Sequence, residues 1–185
     1  CVGYCLRFNP VLKLIKSKIK DRKIWNVNIF CGSYLPEWRK EGDYRNSYSA
    51  NRSKGGGVLL DLSHEIDYIN WLFGSVEIDY VYNSKLSNLE IHSDDTLIMN
   101  AHSNETQIQL NLNYYSRCKT RQILIDGENI SLKANLIKNE VLLIDDGAEK
   151  KYKFENFNSD DMYFDQHKDI IDNKFANVCK YEEGL

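Results

Sequence analysis

The sequence predicts an α+β fold with an open, mainly antiparallel β-sheet and helices packed on one face of the sheet. Two observations carry this prediction. Apolar residues recur at helical spacing from Pro10 to about Lys20 and from Val58 to Phe73, and after Gly74 the period changes to two over a series of short segments. Turn dipeptides at Asp126-Gly127 and Asp146-Gly147 follow some of these segments, and successive strands joined by short turns form antiparallel sheets.

The chain opens with a short apolar segment, Cys1 to Phe8, which we interpret as a buried strand that belongs to a sheet begun upstream. Asn9 and Pro10 are typical helix-capping residues, and they predict a helix that ends near Lys20. The apolar positions of this helix are Val11, Leu14, Ile15 and Ile19. A strand is predicted from Ile24 to Phe30.

A second helix is predicted from about Val58 to Phe73, with Gly74 just past its end. Its apolar stripe consists of Leu59, Leu62, Ile66, Ile69 and Phe73. At 100° per residue, the opposite side carries Asp61, His64, Asp67, Tyr68 and Trp71. We therefore expect the stripe to face the sheet, and Asp61 and His64 to face a cleft.

The remaining chain alternates apolar and polar residues and then returns to a helical pattern. The predicted strands cover 76–82, 96–102, 108–114, 121–125, 129–134, 141–144 and 151–157. A closing helix is predicted from about Asp160 to Tyr181. One face of the sheet would carry Gln107, Gln109, Asn111 and Asn113, which is polar but weakly charged and compatible with packing between subunits. We expect a homodimer or homotetramer through that face.

Composition excludes several classes of partner. The 185 residues carry a net charge of −3, whereas proteins that bind nucleic acid through phosphate contacts usually carry a basic surplus. No segment approaches the roughly 20 uninterrupted apolar residues that a membrane span needs. The five cysteines are odd in number and lack a Cys-x-x-Cys pair, which favours free thiols in the reducing cytoplasm.

His64 is the principal candidate for chemistry. His64-Glu65 resembles the start of a zinc helix, but Tyr68 stands where the second histidine would be, so no metal site is predicted. Asp61 and Asp67 lie three residues before and after His64, within reach on one helix. The residues alone leave two interpretations open: a surface histidine paired with a carboxylate, or a catalytic or ligand-binding group.

The long connection from Cys31 to Gly57 carries aromatic and basic side chains. Trp38, Arg39, Tyr44 and Arg45 are the predicted ligand contacts, since aromatic faces can stack on a sugar ring or a base and arginines can bind a carboxylate or a diphosphate. A solvated surface loop is the alternative. The triplet Gly55-Gly56-Gly57 matches no phosphate-binding motif, and a flexible entry into a tightly packed helix is its plainer explanation.

Two segments together resemble a known family. GYCLRFNP at positions 3–10, followed by GGGVLLDLSHEIDYINWLFG at positions 55–74, is similar to the Gfo/Idh/MocA oxidoreductases. The resemblance implies a Rossmann domain upstream for NAD or NADP, of which residues 1–8 would be the last strand. Residues 9–185 would form the C-terminal α+β domain, similar to that of dihydrodipicolinate reductase, which binds substrate and forms subunit contacts.

The resemblance also implies roles for residues. His64 would exchange the hydroxyl proton of a sugar, polyol or nucleotide-linked sugar while hydride passes to or from the nicotinamide. Asp61 would be its catalytic carboxylate, Asp67 a substrate contact and Arg7 a cofactor contact. Family members commonly space the aspartate and histidine four residues apart, but here Asp61 and His64 are three apart. The fragment alone would be inactive, and a non-catalytic sugar-binding or oligomerisation domain is the alternative.

Overall fold

The computed structural model describes residues 1–38 and 42–184. Within them, eight strands form one open sheet in the order β2-β3-β4-β1-β5-β6-β7-β8. The strands are β1 Ile24–Gly32, β2 Glu77–Ser84, β3 Thr96–Ser103, β4 Thr106–Asn113, β5 Thr120–Gly127, β6 Ile130–Asn135, β7 Glu140–Asp145 and β8 Ala148–Lys153. β1 and β4 run parallel, and the other neighbouring pairs are antiparallel. The predicted fold class is confirmed.

The four α-helices of the described residues are α1 Pro10–Ile19, α2 Val58–Asp61, α3 Ser63–Phe73 and α4 Ser159–Ile171. α1 begins as predicted, because the Asn9 side chain accepts a hydrogen bond of 2.8 Å from the Val11 amide and Pro10 occupies the first turn. None of these helices is long and apolar enough to cross a membrane.

Alternation along the strands places one set of side chains in the core and leaves the other set outside. Val27, Leu110 and Ile123 are fully buried on the covered face. The outer face carries amides such as Asn100 and Gln109. Phe30 and Leu124 are also exposed, so this outer face is less uniformly polar than its sequence pattern indicated.

The first residues differ from their prediction. Cys1–Phe8 is not a strand: Val2 makes an isolated bridge to Cys179, and Cys5–Phe8 forms a 3-10 helix. A short apolar run has the same composition in either conformation, and burial of the segment against α1, α3 and α4 is satisfied by the helical turn.

Two of the predicted helices also differ from the structure. α4 ends at Ile171 rather than near Tyr181, because Asn173 and Phe175 adopt positive φ angles of 52° and 46°. The predicted helix from Val58 to Phe73 is interrupted at Leu62, whose φ and ψ are −107° and 25°. This interruption at Leu62 separates Asp61 from His64.

Candidate functional site

The chain enters α2 through a glycine held against a neighbouring loop. Gly57 has a φ of 128°, and a Cβ at this position would collide with the Asp94 carboxylate. The Asp94 carbonyl accepts from the Val58 amide at 3.0 Å, and its carboxylate accepts from the Leu59 amide at 3.1 Å. Asp94 therefore fixes where α2 begins, a role that the sequence pattern did not indicate.

Asp61, at the end of α2, is bonded to the sheet. The Tyr114 hydroxyl, just beyond β4, donates a 2.6 Å hydrogen bond to its Oδ2. Burial and this hydrogen bond raise the pKa of Tyr114, so the phenol stays protonated and acts as the donor. The predicted Asp61 and His64 pair is not formed in the structure, because the break at Leu62 places them on separate helices.

His64 lies in the first turn of α3. The Tyr4 ring contacts it edge-on, with ring centroids 5.3 Å apart and an interplanar angle of 78°. Nδ1 is buried and has no hydrogen-bond partner in the described part of the chain. Burial and the nearby Arg121 guanidinium lower the pKa of His64, while Glu65 and Asp67 oppose this effect. The imidazole is therefore predominantly neutral at neutral pH.

Asp67 does not face a cleft. Its carboxylate accepts from Nε and Nη2 of Arg7, at 3.0 and 2.7 Å, and both side chains are almost fully buried. Nη1 of Arg7 donates to Glu183 at 2.7 Å. A ligand role for Arg7 or Asp67 would thus require this buried ion pair to open.

The orientation of α3 also differs from the prediction. Its fully buried residues are Glu65, Tyr68 and Ile69, whereas Ile66 and Phe73 of the predicted stripe are only partly buried. Glu65 can be buried because its carboxylate has a charged partner: Arg121 of β5 donates from Nε to Glu65 Oε1 at 2.5 Å. Tyr4, Glu65, Tyr114 and Arg121 were not singled out in the sequence because their partners are distant along the chain.

The loop residues predicted to contact substrate are placed unequally. Trp38 and Tyr44 line one cavity of about 300 Å³. The Trp38 ring contacts Tyr114 edge-on at 5.1 Å, which connects this cavity to the Asp61 hydrogen bond. Arg45 is held by Asp43 and Glu90, at 2.7 and 2.9 Å. Arg39 lies outside the described residues.

The described residues contain no cluster of histidine, cysteine and carboxylate groups that would hold a metal ion. The glycine triplet offers no cradle for a diphosphate either. The amides of Gly55 and Gly56 donate to the carbonyls of Arg52 and Asn51, and those of Val58 and Leu59 donate to Asp94, so four of the five amides from Gly55 to Leu59 are engaged. Backbone donors that bind a phosphate must be free to point at it, so these residues do not fit a dinucleotide.

Three of the solved structures that share this fold are dehydrogenases. Levoglucosan dehydrogenase in complex with NADH superposes with a TM-score of 0.82 at 14% identity, over 99% of this chain and 59% of that chain. UDP-N-acetylglucosamine 3-dehydrogenase GnnA from Acidithiobacillus ferrooxidans gives 0.73 at 14% identity, over 100% and 56%. The WlbA dehydrogenase from Bordetella pertussis, in complex with NADH and UDP-GlcNAcA, gives 0.67 at 19% identity, over 96% and 54%.

The chain thus spans a little over half the length of these dehydrogenases. No curated protein sequence gave a significant match. Residues 16–184 match the model of the oxidoreductase family C-terminal alpha/beta domain. The chain therefore belongs to the Gfo/Idh/MocA oxidoreductase family, as the two sequence segments indicated.

Proposed function

We propose that this chain is the substrate-binding half of an NAD(P)-dependent oxidoreductase that acts on a hydroxyl or keto group of a sugar, polyol or nucleotide-linked sugar. The observation that carries the proposal is His64, a half-buried imidazole at the start of α3 whose pKa is lowered by burial. A neutral imidazole accepts a proton from a substrate hydroxyl, and the imidazolium returns it in the reverse direction.

Asp61 keeps a catalytic role in this proposal, but its carboxylate is positioned by Tyr114 and does not pair with His64. The 2.6 Å hydrogen bond from the phenol fixes one carboxylate oxygen and leaves the other able to accept from a substrate hydroxyl. Trp38 and Tyr44, together with Arg39 and Arg45 of the same loop, would contact the remainder of the sugar. Arg45 would first have to exchange one of its two carboxylate partners.

NAD or NADP would be held outside this chain, because four of the five amides from Gly55 to Leu59 already donate to other groups of the chain. We propose that residues 1–8 end a nucleotide-binding domain and that residues 9–185 form the substrate domain. Arg7, in the first segment, would approach the cofactor only after release from Asp67.

The outer face of the sheet is the proposed subunit interface. Phe30 and Leu124 lie on it beside a shallow cavity of about 310 Å³, among Asn and Gln side chains. The protein would function as a homodimer or homotetramer. A cytoplasmic location is supported by five cysteines that are all free, three of them buried.

The proposed activity is tested with His64→Ala in the full-length native protein. Turnover should fall about 100-fold or more, as expected for loss of a general acid–base group, while cofactor affinity stays nearly unchanged. His167→Ala, an exposed histidine of α4, is the matched control. Equal turnover in both variants would remove His64 from the catalytic groups, whereas no turnover in the wild-type protein would favour the non-catalytic sugar-binding or oligomerisation domain.

A further inference from the structure

A further cavity lies where β1 ends and β5 begins, with a volume of about 350 Å³. Leu62, at the junction of α2 and α3, lines one side of it, and Lys119 and Arg121 line another. Apolar side chains complete the wall, including Leu6, Phe157 and Met162. Its volume is within the range of about 300–1,000 Å³ that small-molecule sites occupy.

Only one of the three guanidinium nitrogens of Arg121 is bonded to a described residue. Nε donates to the fully buried Glu65, and Nη1 and Nη2 have no hydrogen-bond partner in the described part of the chain. The Arg121 side chain is 26% exposed. The pair with Glu65 therefore orients the guanidinium and leaves a planar fork of donors available.

The described lining of this cavity carries positive but no negative side chains. Among the described residues that line it there is no Asp or Glu, although the chain carries 27 acidic residues and a net charge of −3. A cavity of about 620 Å³ beside Arg7 and Lys16 also has cationic walls, but Glu182 and Glu183 line it as well. Lys119 is exposed and makes no ion pair with a described residue, so its positive charge is not compensated as that of Arg121 is by Glu65.

We propose that this cavity binds the anionic group, a carboxylate or a phosphate, of a sugar-type ligand. Nη1 and Nη2 of Arg121 would donate to two oxygens of that group, and Lys119 would supply the second positive charge. The apolar wall would contact the carbon skeleton. The inference rests on the proposed function and narrows the ligand to an acidic or phosphorylated one.

Binding at Arg121 has a measurable consequence at His64. Three charged groups act on this imidazole: Arg121 of β5 lowers its pKa, and Glu65 and Asp67 of α3 raise it, while Tyr4 contacts its ring edge. An anion bound to Arg121 would cancel part of the positive potential that the guanidinium produces at His64. The pKa of His64 should therefore rise when the cavity is filled.

The test uses the full-length protein with isotope-labelled histidine and no added cofactor, and follows the His64 resonance, assigned by its absence in His64→Gln. D-glucuronate and inorganic phosphate are titrated separately, with D-glucose as the neutral control. At least one anion should bind and raise the His64 titration midpoint, while glucose does neither. The anion that binds identifies the carboxylate or the phosphate class.

Two variants locate the binding. Lys119→Gln, at an exposed position, should weaken it about 2–5-fold, and Arg121→Lys, which keeps the charge beside Glu65 but loses the fork, about tenfold or more. Lys133→Gln, on the outer face of β6, is the control and should bind as the wild type does. Equal weakening in all three variants, equal binding of glucose, or binding of neither anion would overturn the proposal. Because no turnover is measured, failure here is distinct from failure of the His64→Ala test.

Discussion

Tyr114 and Asp61, 53 residues apart, are joined by a 2.6 Å hydrogen bond that connects the end of β4 to the end of α2. A phenol that donates to a carboxylate contributes about 1.5–3 kcal/mol where it is shielded from water. Tyr114 is fully buried, so this bond should contribute measurably to stability.

Tyr114→Phe should therefore lower the free energy of unfolding by about 1.5–3 kcal/mol, since it removes the donor and keeps the ring. Urea denaturation measures the change. Tyr152→Phe on β8, where the hydroxyl makes no hydrogen bond with a described residue, should change the unfolding free energy by less than about 0.5 kcal/mol. The same loss in both variants would mean that the hydroxyl bond does not stabilise the fold.

The buried pair of Arg7 and Asp67 should be sensitive to loss of one partner. Arg7→Ala leaves the Asp67 carboxylate buried and unpaired, at an expected loss of about 3–5 kcal/mol in the free energy of unfolding. Replacing both residues by leucine should recover part of that loss. Lys151→Ala, in an exposed pair with Glu149, provides the contrast and should cost less than about 1 kcal/mol.

His64 should make stability depend on pH. Its folded-state pKa lies below the value of about 6.5 expected for an unfolded chain, so the unfolded state binds more protons between the two values. Stability should rise with pH through that window and level off above about 6.5. His64→Gln should remove this part of the dependence, as measured by urea denaturation at several pH values. If the unfolding free energy of His64→Gln depended on pH as that of the wild type does, the imidazole would be as well solvated in the folded chain as in the unfolded one.

Gly57 should not tolerate a side chain. Gly57→Ala combines a φ of 128° with a collision at the Asp94 carboxylate, and it should lose about 1–3 kcal/mol or more of unfolding free energy. Gly147→Ala has a φ of 81° but nothing within 4 Å of the added Cβ, so thermal unfolding should show a smaller loss there. Equal losses would mean that backbone strain alone, and not Asp94, determines the requirement.

The proposed interface on the outer sheet face predicts a change in oligomeric state. Leu124→Lys introduces a charge at the centre of that face and should yield monomers in light scattering. Ile171→Lys, at the exposed end of α4, should leave the assembly intact. Wild-type monomers at micromolar concentration would contradict the proposed interface.

Elements that are determined by residues close together in the sequence were predictable. Alternation located the strands to within a few residues, and Asn9 with Pro10 located the start of α1. The turn predicted at Asp126-Gly127 lies slightly later, because Gly127 still pairs in β5 and Asn129 takes the positive φ of 56°. Such small displacements follow from register between strands, which periodicity alone does not define.

The site was less predictable because its contacts are distant along the chain. Asp67 pairs with Arg7 from 60 residues away, and Glu65 pairs with Arg121 from 56 residues away. Helical periodicity assigns charged residues to the exposed side by default, whereas a buried partner reverses that assignment. His64 was recognisable from its helix and its family resemblance, but its separation from Asp61 was not.

The interruption at Leu62 divides the candidate groups between two independently anchored units. Asp61 is positioned from the sheet through Tyr114, and His64 is positioned through the contact of α3 with Tyr4 and, one residue on, through Glu65 with Arg121. Neither position depends on a continuous helix between them. In an unbroken helix, one residue fewer between two side chains would rotate one of them by about 100° relative to the other. The break at Leu62 can absorb that difference, so the uncommon three-residue spacing still allows both groups to act on one substrate.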